Sequence, residues 1–114
     1  MALERGKLTD VVQVSAGTTQ SIVSVADNKK VYIKSIICHA PGPGITTAAG
    51  QVYFVPSGSS AAYSNKIFDV SIESGESVML EPSYPLVIDA TGDALHVGSK
   101  DATVNFIITG DKEA

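Results

Sequence analysis

The chain has no tryptophan, one cysteine and two histidines among its 114 residues. Each shortage removes a class of function. With Cys38 alone no intrachain disulfide can form, so the fold cannot be a stapled scaffold. Cys38, His39 and His96 cannot fill a tetrahedral zinc site without carboxylates, and neither the Cys-x-x-Cys nor the His-Glu-x-x-His spacing occurs. Cys38 and His39 are adjacent, so in an extended strand they point to opposite faces and cannot act as nucleophile and base. Gly42-Pro43-Gly44 lacks both the third glycine and the following helix of a dinucleotide loop. No catalytic residue, metal or cofactor is therefore expected, and the chain is read as a non-enzyme. Charge is also scarce, at 18% of residues, with eight basic against twelve acidic side chains and a net charge of -4. Lys29 and Lys30 form the only adjacent basic pair, which is too little for a nucleic-acid footprint. No apolar run approaches the roughly 20 residues of a membrane span. Residues 1–10 lack the apolar stretch of a secretory signal, so synthesis in a reducing cytoplasm is expected.

What the sequence does have is short apolar runs rich in Val, Ile, Tyr and Phe. They recur every 8 to 15 residues between clusters of Gly, Pro, Ser, Asn and Asp. No window carries a helical stripe. The pattern predicts an all-β chain: an antiparallel β-sandwich, jelly-roll-like, of about eight to nine short strands. They are expected near Val11–Val14, Ser21–Val25, Val31–His39, Gln51–Val55, Lys66–Ile72, Ser77–Glu81, Leu86–Asp89, Leu95–Val97 and Thr103–Thr109. In the last of these Val104, Phe106 and Ile108 should face the core, with Ile107 out of phase. Val31–His39 has Val31, Ile33 and Ile37 on one face and Ile36 and Cys38 on the other. It is either covered on both faces or shifted by a bulge. Gln51–Val55 is apolar on both faces as well, which suggests cover from outside the monomer. Turn residues at Ala26–Lys29, Ser74–Glu76 and Thr91–Asp93 read as hairpin connections. The stretch Ala40–Gly50, rich in proline and glycine, is long enough to suggest a functional loop. Residues 1–10 read as an N-terminal arm and 11–114 as one domain.

The run NKKVYIKSII (Asn28–Ile37) is followed by QVYFVPSGSS (Gln51–Ser60), VSIESGESVMLE (Val70–Glu81), PLVIDATGDALHV (Pro85–Val97) and TVNFIITG (Thr103–Gly110). In that order these pieces resemble small β-sandwich virion proteins of tailed bacteriophages. That group includes capsid decoration proteins, head-fibre bases and tail or neck components. The resemblance implies a virion structural protein that binds the outer capsid surface, with the major capsid protein or another virion protein as partner. It also implies a homotrimer, made in the host cytoplasm and located on the virion. Leu3, Arg5 and Leu8 in the arm, with Pro41, Pro43 and Ile45 in the long loop, are the expected assembly contacts. A receptor- or carbohydrate-binding module, with Tyr63, Tyr84 and the Ala40–Gly50 loop as its platform, is the reading of a different class.

Overall fold

Alternating apolar residues form strands here because each buries its branched side chains on one side only, and a two-sheet sandwich is what buries all of them at once. The computed structural model describes residues 3–25, 29–42 and 47–113, with Leu3 by its backbone alone. Among the described residues ten strands are present: β1 Leu3–Lys7, β2 Val12–Val14, β3 Thr19–Ser24, β4 Val31–His39, β5 Thr47–Val55, β6 Lys66–Glu73, β7 Ser77–Leu80, β8 Leu86–Ile88, β9 Ala94–Lys100 and β10 Val104–Glu113. A 3-10 turn covers Tyr63–Asn65. Among the described residues no helix is long and apolar enough to cross a membrane.

The first sheet is four columns wide. β10 and β4 form its centre, β1 and β2 share the column beside β10, and β7 and β8 share the column beside β4. The second sheet runs β3-β9-β5-β6, and every pairing in both sheets is antiparallel. Successive strands alternate between sheets from β2 to β5, and the chain crosses again from β6 to β7, from β8 to β9 and from β9 to β10, while β7 and β8 stay in the first sheet; such sheet-to-sheet crossings are the jelly-roll connection. The turns at 74–76 and 91–93 are therefore not hairpins: each carries the chain from one sheet to the other. Gly75 (φ 84°) and Gly92 (φ 91°) supply the left-handed backbone that those reversals need. The connection at 25–30 likewise crosses between sheets, although residues 26–28 of it lie outside the described residues. Local turn chemistry sets the reversal; burial decides which sheet the next strand joins.

Phe106, Ile33, Ile36, Ile72, Ile88, Leu95 and Ile108 are the largest wholly buried side chains, contributed by both sheets. Val104, Phe106 and Ile108 face inward as expected. The two-faced pattern of β4 resolves as a bulge. Ser35 pairs with Thr109 and Ile33 with Gly110, which leaves Lys34 as the extra residue. That insertion lets Val31 and Ile33 point inward on one side of it and Ile36 and Cys38 on the other.

The second apolar face of β5 has a different cause. Tyr53 and Val55 are buried outside the sandwich core, and the burial comes from this chain itself, which corrects the expectation of external cover. The connection from β5 to β6 folds back beside them: Ser57 N–H donates to Asp93 Oδ1 at 3.0 Å, and Lys66 Nζ lies 5.9 Å from the Tyr53 ring centre.

Residues 1–10, read as an arm, contribute β1, whose Arg5 and Gly6 pair with Asp111 and Gly110. Leu8 N–H donates to the Ile108 carbonyl at 2.7 Å, and Ile108 N–H donates to Thr9 Oγ1 at 3.2 Å. These bonds carry the edge column across the gap between β1 and β2.

Candidate assembly surface

Because one side of each strand fills the core, the opposite side of the first sheet composes a solvent-facing surface, and the pairing register arranges it in rows. One row is polar: Gln13, Asn105, His39 and Ser77 stand side by side across the four columns. His39 Nδ1 and Ser77 Oγ are 2.8 Å apart. The next row is apolar. Ile107 pairs with Ile37, Ile37 pairs with Met79, and Val11 stands next to Val12, the partner of Phe106. Val11 is 64% exposed and Met79 57%, far above the norm for such side chains. Ile37 and Ile107 between them are half-buried. A shallow hollow of about 250 Å³ opens in this row, lined by Val11, Ile37, His39, Asn105, Phe106 and Ile107. Asn105 Oδ1 is buried there without a hydrogen-bond partner.

Beyond the apolar row come Lys7, Thr109 and Ser35, with the two hydroxyl oxygens 2.5 Å apart. The last row is ionic: Asp111 is buried between Lys34 Nζ, 2.8 Å from Oδ2, and Arg5 Nε, 3.5 Å from Oδ1. The hydrogen bond from Lys34 is the chief reason that the Asp111 carboxyl is held below its ordinary value; Arg5 adds to this, and burial opposes it. A carboxylate with a lowered pKa contributes stability above its unfolded value of 3.8, and that stability is lost as pH falls through the folded value. Asp111→Asn should therefore melt below the native chain at pH 7, and the gap should narrow at a pH below 3.8. Thermal melts at the two pH values check this; an unchanged gap would mean that the ion pairs contribute nothing.

A second cleft, of about 460 Å³, lies where β7 gives way to β8. It is lined by Lys34, Ser35, Thr109 and the connecting residues Glu81, Pro82, Ser83 and Pro85. Tyr84 stands beside it and is 86% exposed; Tyr63, on the opposite sheet's connection, is 92% exposed.

The residues expected to make assembly contacts fall in different places. Arg5 is exposed in β1 and held by Asp111, Leu8 packs against the core, and Pro41 is exposed just after β4. Leu3 pairs with Glu113 through its backbone, while Pro43 and Ile45 lie outside the described residues. The apolar row was missed as a unit, since Val11, Ile37, Met79 and Ile107 are far apart in sequence. Its one local signal is Ile107, the apolar residue out of phase in β10.

Chemistry is sparse. Among the described residues no group of three or more His, Cys, Asp or Glu side chains is placed to hold a metal. Cys38 is buried and its thiol is pushed up to about 12, so it is not a nucleophile in the folded chain. His96 is half-buried, which lowers its pKa.

The chain is thus an antiparallel jelly-roll β-sandwich with a polar-rimmed apolar row on one sheet. A solved structure shares that fold. A chain in the crystal structure of the T13 IBDV viral particle superposes with a TM-score of 0.50, 11% identity and 97% of this chain covered. A chain in the structure of infectious bursal disease virus Gx strain gives 0.46, 12% and 95%. This chain spans 30% and 32% of the length of those two. No family model matches the sequence, and no curated protein matches it.

Proposed function

We propose that this protein is a virion structural component, a capsid decoration (cement) protein that binds the outer capsid surface and stabilises it through repeated protein–protein contacts. The observation that carries the reading is the apolar row on the open face of a jelly-roll sheet. The jelly-roll likeness to a viral-particle chain supports it at the level of fold. In this reading copies associate as a trimer, and each contacts the major capsid protein through Leu3, Arg5 and Leu8 of the β1 region and Pro41, Pro43 and Ile45 of the loop after β4. Individually weak contacts gain strength by multivalency. A tail, neck or fibre-base position would use the same surfaces.

The test is reconstitution. Capsids lacking this chain should take up the purified protein to saturation and resist heating better, and density should lie on the outer surface. Uptake only at the neck or tail would move it to that position. The high exposure of Tyr63 and Tyr84 favours a second reading, a carbohydrate-binding module. Glycan-array binding abolished by Tyr84→Ala, with no uptake by capsids, would establish that reading instead.

A further inference from the structure

The apolar row has two unlike ends. Its hollow spans the columns of β2, β10 and β4, whereas Met79 stands on the fourth column, more than half exposed. A protruding thioether and a receiving hollow on one surface make it complementary to itself. Methionine suits such a role because its unbranched chain adapts to irregular gaps.

We propose that the occupant of this hollow is a second copy of this chain, whose Met79 seats against Val11, Ile37 and Ile107. The inference deepens the self-assembly reading above and rests on it. Each copy then gives one Met79 and receives one, which a two-fold axis and the three-fold axis of the trimer proposed above satisfy alike.

The extent of the surface is sufficient. Four columns about 4.8 Å apart and strands of nine residues at about 3.3 Å each give a face of roughly 19 by 30 Å. Corrugated by side chains, such a face approaches the roughly 800 Å² per partner that stable interfaces bury. Its make-up fits as well: the apolar row is flanked by a polar row on one side and by the Thr109–Ser35 hydroxyl pair on the other, with Lys7 and the ionic row towards the margin.

The experiment joins neighbours across the contact. V11C and M79C chains are mixed, oxidised and run without reductant, with each single variant alone as the control; Cys38 is buried and stays out of the reaction. The mixture should give an intermolecular disulfide and each variant alone should not, since the bond needs the Cα atoms within about 7 Å. In parallel, Ile107→Asp should reduce the solution mass threefold, to the 11.8 kDa of one chain, with the β-sheet circular dichroism unchanged. A native trimer that gives no disulfide and keeps its mass in Ile107→Asp would overturn this contact and leave self-assembly standing. A native chain that is monomeric at every concentration would overturn self-assembly itself, and the contact with it.

Discussion

Gly110→Val should leave no folded protein, and Gly110→Ala should lose at least about 3 kcal/mol of stability. Gly110 lies opposite the β4 bulge, where the two backbones approach closely. A Cβ there would collide with the Tyr32 carbonyl oxygen and stand 3.0 Å from its carbon and 3.2 Å from Ile33 Cα. All three are backbone atoms, so no side-chain rotation relieves the overlap. Nor can β10 retreat, because it is hydrogen-bonded to β1 on one edge and β4 on the other. Gly75→Ala is the matched control. Its φ of 84° disfavours a side chain, but nothing lies within 4 Å of the added carbon, and the cost should be about 1 kcal/mol. Guanidinium unfolding of the two variants separates steric collision from backbone strain. A Gly110→Ala chain as stable as Gly75→Ala would contradict the bulge.

Phe106→Ala should cost about 3 to 5 kcal/mol, a large share of the stability of a domain of this size. Phe106 is 1% exposed, on the central strand of the first sheet, paired with Cys38 on one side and Val12 on the other. Its removal opens a cavity that two hydrogen-bonded sheets cannot close. The neighbouring residue gives the comparison, because Asn105 faces the other way and its Oδ1 has no hydrogen bond to lose. Asn105→Ala should cost less than about 1 kcal/mol. Urea midpoints at unchanged slope measure both. A reversed order would mean that β10 is out of register by one residue, since a single slip exchanges the two faces.

Much of this fold was legible in the sequence, for stated physical reasons. The inward face of β10 followed from strict alternation, and Val31–His39 has the observed bounds of β4 because its apolar residues end at the Ala-Pro-Gly that follows. The bulge at Lys34 was one of two readings of an interrupted alternation, and the burial of Ile36 and Cys38 selects it. The strand β1 was not legible: LERGK is charged and holds a glycine, and only pairing with the far end of β10 makes it a strand. Sheet membership was also beyond reach, because the turns at Gly75 and Gly92 look like hairpin turns at the level of residues. The same limit hid the candidate assembly surface. Val11, Ile37, Met79 and Ile107 form a row only through the pairing of β10 with β4 and β4 with β7.

The central claim is that this row is a surface for assembly between protein chains. Light scattering on the native protein after size-exclusion chromatography, over a concentration series, tests it most directly. The account predicts a stable species of three times 11.8 kDa, about 35 kDa. A mass of 11.8 kDa at every concentration would contradict it.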